Sequence, residues 1–394
     1  NIESSKPESV LTGNERVLQA RLSDAQFFWE QDRQHTLADN AGRLESLLFH
    51  VKLGSMADKT RRLVNISGRI AEQIGADVAA TERAASLCKL DLVSHMVGEF
   101  ASLQGTMGRY YARHDGEQQV VADAIEQHYW PKFAGDRLPQ GPEATALALA
   151  DRLDALVGIF ATGEKPTGVK DPYALRRAVL GVLRMLIEKQ LDIELGVLLD
   201  LTIAAYGDTS DIAVTPDAET RQEIERFALD RLRSWYTGQG FDIHAFNAVA
   251  EVKPPQASDF DRRLRAISDF FESETSAATS LAAANKRIAN ILRKSASGDV
   301  GIHDPALLQD QAERVLAEKL QSLQQSTAKA FATQAYAQGL AELASLEMPV
   351  NNFFDEVRVM EDDIAIRNNR LALLAELRAL FLQVADISHL IVES

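Results

Sequence analysis

The sequence predicts a mainly α-helical protein, and three observations carry that reading. Only 11 prolines and 22 glycines interrupt 394 residues, so backbone breakers are sparse. Ala, Leu, Arg, Glu and Gln dominate, and these residues lose little side-chain freedom in a helix. Apolar residues recur at the spacing of one helix face. At roughly 100–200 residues per domain, the length allows two to four domains.

Taken in order, residues 41–53 place Leu44, Leu47, Leu48 and Val51 at helical spacing. Residues 59–74 repeat the pattern with Leu63, Ile66, Ile70 and Ile74. Asp171-Pro172 reads as a helix start, because Asp accepts from orphan amides and Pro fits the first helical position. The helix that follows is expected to bury Leu175, Val179, Val182, Leu186 and Ile187, with Arg177 and Arg184 on its wet side. Only Glu356–Met360 alternates, and so short a stretch is weak support for a strand. The turn-rich, acidic stretch 206–218 and Lys253-Pro254-Pro255 mark boundaries. Between them, 219–250 reads as a short helical connector carrying Phe227, Leu232 and Trp235. The expected division is a lead-in (1–34), a large helical domain (35–205), a linker (206–256) and a C-terminal helical domain (257–394).

The formal net charge is −15. A uniformly acidic surface repels phosphate, so nucleic-acid binding would have to rest on local basic patches. With 46% hydrophobic and 25% charged residues, bulk disorder is excluded. The single cysteine, Cys88, excludes internal disulfides and a cysteine-based zinc knuckle, and fits a reducing, cytoplasmic location. No apolar run approaches the ~20 residues of a membrane span. Asn1–Ser5 has neither a basic nor an apolar leader region. It also lacks an initiator Met, so an excised or processed piece of a longer chain is expected.

Most chemical motifs fail on their own requirements. Gly163–Lys170 resembles a phosphate loop, but Val169 follows Gly168 and Asp171 follows Lys170, so the lysine–hydroxyl pair is missing. His114-Asp115 is a literal His-Asp pair of the kind metal phosphohydrolases use, yet it sits in a polar, turn-like stretch. The remaining histidines form no ligand spacing, and Cys88 lies in an apolar helix, where a structural thiol is expected. Two basic clusters are left. One is Lys165, Lys170, Arg176 and Arg177. The other lies in Asn285–Lys294, where Ile288, Ile291 and Leu292 mark the buried side and Lys286, Arg287, Asn290, Arg293 and Lys294 the outer one. Arg and Lys neutralise phosphates and Asn reads base edges, although such a helix face is often merely solvated.

Several stretches in chain order carry a family resemblance. They are Gly13–Phe28, Leu53–Lys59, Gln104–Gly108, Tyr111–Glu117, Lys170–Arg177, Ala284–Leu292, and Arg370–Leu374 with Val384–Ser388. Together they resemble the C-terminal part of the β subunit of bacterial heterotetrameric glycyl-tRNA synthetase. The resemblance implies an HD-like helical domain, a linker, and a helical anticodon-binding domain similar to that of arginyl-tRNA synthetase. It implies a subunit of glycine–tRNA ligase whose α subunit carries glycine and ATP chemistry, with ATP and Mg bound there. This chain would then be a catalytically inactive tRNA-binding part with no cofactor or metal of its own. The implied partners are tRNA-Gly and the α subunit, with no membrane and no DNA. The HD pair would be replaced by Cys88 and Lys89, with Asp151 as the surviving downstream Asp and the upstream ligand near Thr60. The expected contacts to the tRNA body are Lys170, Arg176, Arg177 and His114. Those expected for the anticodon are Lys286, Arg287, Asn290, Arg293, Phe353, Arg367 and Arg370, with Phe354 a further candidate and at least one of the two rings expected in the core. A metal phosphohydrolase of the HD type and a purely structural helical scaffold are the alternatives.

Overall fold

The computed structural model describes residues 7–208, 212–295 and 301–390. The chain falls into two compact units that meet at Leu229 and Asp230. Both are helical, and the strands among the described residues are two short ones, β1 (Leu48–His50) and β2 (Gly54–Ser55), paired antiparallel.

The first unit holds α1 (Pro7–Asp32), α2 (Met56–Ile74), α3 (Val78–Leu87), α4 (His95–Glu99), α5 (Thr106–His114), α6 (Gln119–Gln127), α7 (Pro142–Ala161), α8 (Leu175–Glu188), α9 (Leu195–Gly207) and most of α10 (Ala218–Gly238). Helix α7 is its hub and packs against α2, α6, α8 and α9. Its Ala146, Ala148 and Ala150 alternate with Leu147, Leu149 and Leu153, all fully buried, so apolar surface runs round most of the helix. Gly158 on α7 lets Tyr206 approach, since a Cβ there would lie 2.1 Å from the Tyr206 hydroxyl. Helix α2 starts on a reciprocal cap, in which Ser55 accepts from the Asp58 amide and Asp58 from the Ser55 amide. It stops at Gly75, whose φ of 69° suits the left-handed end of a helix.

The second unit holds α11 (Ile243–Glu251), α12 (Ala257–Ser273), α13 (Thr275–Lys294), α14 (Gln311–Ala332), α15 (Tyr336–Leu343), α16 (Glu347–Glu356) and α17 (Ile364–Leu382). Leu281, Ile288, Leu316, Leu340, Phe353, Leu377 and Phe381 form its centre. The end of α10 belongs here too, because the Tyr236 hydroxyl donates to Asp261 Oδ1 at 2.8 Å. The stretch read as a linker, 206–256, divides between the two units, and its second half packs into this one.

Four local expectations need correction. Arg184, read as lying on the wet side of its helix, is buried and donates to Glu188 Oε1 at 2.6 Å and to the Asp136 carbonyl at 3.0 Å. The helix read over 41–53 is a 3-10 segment, Leu37–Ser46, followed by β1, with Leu48 and Val51 exposed. Apolar spacing alone did not separate a tight turn from a helix there. The helix at Asp171-Pro172 begins three residues later, at Leu175. Asp171 reaches forward to accept from the Leu175 and Arg176 amides, and Pro172 lies in the turn before it. The alternation at Glu356–Met360 is not a strand: α16 ends at Glu356, and Val357 and Val359 turn inward from an irregular segment.

Candidate nucleic-acid interface

In the second unit, α13 separates its two faces cleanly. Ala278, Leu281, Ala282, Asn285 and Ile288 are buried, and α16 and α17 pack against the helix. Arg287, Asn290 and Arg293 are exposed, each three residues from the next, and so form one strip. Arg293 Nη2 donates to Asn290 Oδ1 at 2.9 Å. The guanidinium of Arg287 lies over the ring of Phe354, 4.2 Å from its centroid. Phe354 is only partly buried, whereas its neighbour Phe353 has no exposed surface and meets it edge-on at 5.6 Å. Lys286 lies partly buried beside the strip.

Of the residues read from sequence as anticodon contacts, Arg287, Asn290 and Arg293 come together. Phe353 and Arg370 do not belong with them, because both are core. Arg370 is 3% exposed. It donates to Asp310 Oδ2 at 2.8 Å, to the Arg358 carbonyl at 2.7 Å and to Glu313, itself 1% exposed. Arg367 stands on the same helix, partly exposed, and donates to the Glu361 carbonyl at 3.3 Å. Sequence reasoning offered Phe354 only as a further candidate beside Phe353. The Phe353-Phe354 pair showed that one ring would be core, but not which.

In the first unit, Lys170 and Arg177 are exposed, and neither has an ion-pair partner among the described residues. Arg176 braces the loop instead: its Nη2 donates to the Gly168 carbonyl at 2.6 Å. Thr167 and Lys170 pair across the tip of that loop, while Lys165 is held by Glu223 at 2.5 Å. His114 ends α5, which packs against α6, and its Nδ1 lies 3.1 Å from Arg33 Nη2. Asp115 caps the turn at Leu37, accepting from its amide at 2.7 Å. Asp115 thus serves the backbone, and His114 is an exposed residue beside Arg33.

The positions compared with an HD centre do meet, inside the first unit. Lys89 follows α3, Asp151 projects from α7, and Lys59, the neighbour of Thr60, enters from α2. Lys59 Nζ and Lys89 Nζ each lie 3.1 Å from Asp151 Oδ1. Thr60 turns back to its own helix and donates to the Met56 carbonyl, so the upstream position belongs to Lys59. Arg62 and Lys59 both pair with Asp154, at 2.6 and 2.9 Å. Burial pushes the Cys88 thiol up to about 12, so it is a neutral, inert group. Two ammonium ions on the one carboxylate, Asp151, are the wrong donor set for a metal cation, and the HD chemistry does not fit these residues.

A family described as glycyl-tRNA synthetase beta subunit matches residues 1–251, and one described as DALR anticodon binding domain matches residues 281–387. The chain belongs to the glycyl-tRNA synthetase β-subunit family. It is 49% identical over 392 residues to the glycine–tRNA ligase beta subunit of Aeromonas salmonicida, covering 99% of this chain and 56% of that protein. The corresponding subunits of Vibrio campbellii and Klebsiella pneumoniae are each 47% identical over 390 residues, covering 99% of this chain and 55% and 56% of theirs. The chain thus spans just over half the length of these relatives. The matched anticodon-binding segment contains α13 from Leu281 onward, α16 and α17, and with them the strip and Phe354. No described helix is long and apolar enough to cross a membrane.

Proposed function

We propose that this chain is a tRNA-binding part of a glycine–tRNA ligase β subunit, and that it holds tRNA-Gly while the α subunit attaches glycine. The observation that carries this reading is the Arg287–Phe354 stack beside the Asn290–Arg293 pair, all within the segment that matches an anticodon-binding family. An unstacked anticodon base needs an aromatic or guanidinium plane to lie on and fixed polar groups at its edge. Phe354 with Arg287 supplies the plane, and Asn290 and Arg293 the edge contacts. The buried side of α13 holds the strip rigid, which is what discrimination between bases requires.

In this reading, Lys170 and Arg177 contact phosphates of the tRNA body, and Arg176 shapes the loop that presents them. The HD-like first unit acts by binding. ATP and Mg belong to the α subunit, and the complex works in the cytoplasm. Neither a membrane nor DNA is a partner. The test is affinity for tRNA-Gly and for an unrelated tRNA at two salt concentrations. Tighter binding of tRNA-Gly at both, with affinity falling as salt rises, is expected. Equal affinity for the two tRNAs at both salts would count against it.

A further inference from the structure

The interior of the first unit holds a second site, which the tRNA reading does not use. Two accepting atoms converge on Lys89 Nζ: His128 Nε2, just past the end of α6, at 2.8 Å, and Asp151 Oδ1, on α7, at 3.1 Å. The ring of Tyr129 lies behind, its centroid 4.3 Å away. His128 Nδ1 donates to the Ile125 carbonyl at 2.7 Å. That bond fixes the tautomer, so Nε2 turns its lone pair to the ammonium as a second-shell carbonyl turns an imidazole to a metal. Asp151 Oδ1 is a buried oxygen with no hydrogen-bond partner of proper geometry. Only charge holds it, from Lys89 and Lys59 at 3.1 Å each. The Asp151 side chain is nevertheless 18% exposed, so the centre reaches solvent at one edge.

An imidazole and a carboxylate aimed at one point make a cation site. We propose that His128 and Asp151 form such a site and that its resident cation is the chain's own Lys89, with Lys59 as a second ammonium on the same carboxylate. The pair ties α2, the end of α3, α6 and α7 together in the way a structural metal would, without drawing on free metal. Removing the Lys89 side chain opens the site to a free cation of like chemistry, a small primary alkylammonium. Removing both ammonium groups and adding a carboxylate opens it to a divalent transition ion.

The test is thermal unfolding of the full chain. Lys89→Met keeps the stem without the charge and should lower Tm by roughly 10 °C, as expected for breaking a buried ion pair. Lys89→Ala should fall at least as far. Ethylammonium should then raise its Tm saturably, tetramethylammonium at equal ionic strength should not, and the parent should respond to neither. Lys59→Met/Lys89→Asp should gain a saturable, chelator-reversible rise in Tm with Mn2+ or Zn2+ that the parent lacks. A Lys89→Met chain as stable as the parent would overturn the proposal, as would rescue of Lys89→Ala by both ammonium ions alike or by neither. Should Lys89→Ala not fold, refolding of Lys59→Met/Lys89→Asp with and without Mn2+ decides. Folding only with the ion supports the site, and no difference overturns it.

Discussion

Replacing Arg370 by Ala separates structure from recognition in the second unit. Arg370 is 3% exposed and ties its own helix α17 to two other segments: the start of α14, through Glu313 and through Asp310 at 2.8 Å, and the turn after α16, through the Arg358 carbonyl at 2.7 Å. Truncation leaves Glu313, 1% exposed, as a buried carboxylate without its cation. Breaking a buried pair from one side costs ~3–5 kcal/mol. A unit of this size loses ~2–4 °C of Tm per kcal/mol, so a fall of about 10 °C is expected. The assay is circular-dichroism melting paired with tRNA binding well below the lowered Tm. Where the variant is still folded, it should keep both its affinity and its anticodon preference. An unchanged Tm together with lost preference for the tRNA-Gly anticodon would refute the reasoning and return Arg370 to the binding face.

Lys170→Ala and Arg177→Ala should each weaken all tRNAs alike and flatten the salt slope by about one unit per lost phosphate contact. Arg176→Ala should lower loop order and weaken binding without that proportional change in slope, read by titration at several salt concentrations. Phe354→Ala should weaken tRNA-Gly by ~1–3 kcal/mol, the usual value of one stacked base, while Tm stays near that of the parent. His128 titrates far below the usual imidazole value because burial, and then the Lys89 ammonium, disfavour its charged form. The unfolded chain therefore binds the extra proton first, and stability should fall as pH drops below ~6.5, by at most about 1.4 kcal/mol per unit. His128→Gln should flatten that dependence in denaturant titrations between pH 7 and pH 5; an unaltered dependence would contradict it.

Much of this was legible in the sequence, and the reasons it was or was not are specific. Helix α2 was readable because Leu63, Ile66, Ile70 and Ile74 recur at helical spacing; its cap at Ser55 and its stop at Gly75 were added by the structure. The strip Arg287–Asn290–Arg293 was readable because its spacing and the apolar Ile288 fix which way each residue points. The burial of Arg370 was not, since its partners Asp310 and Glu313 lie far back in the chain and a long cation looks the same in sequence whether paired or solvated. The choice between Phe353 and Phe354 depended on one turn of α16, and neighbouring residues of one type carry no signal for it. Lys59 was missed for a similar reason: the ligand position was placed only near Thr60, and one residue is about 100° of the helical circle, enough to decide whether a side chain meets Asp151 or turns away.

The most direct test of anticodon reading by α13 uses the Arg287→Ala/Asn290→Ala double variant. Its affinity is measured for tRNA-Gly and for tRNA-Gly with an altered anticodon, beside the parent chain at the same salt. Each good bidentate base contact discriminates by ~1–3 kcal/mol, a factor of roughly 5 to 150 in affinity. The parent should prefer the native anticodon by at least that factor, and the double variant should bind both tRNAs about equally while melting near the parent Tm. A folded variant that keeps the full preference would contradict the assignment and move anticodon reading off this helix.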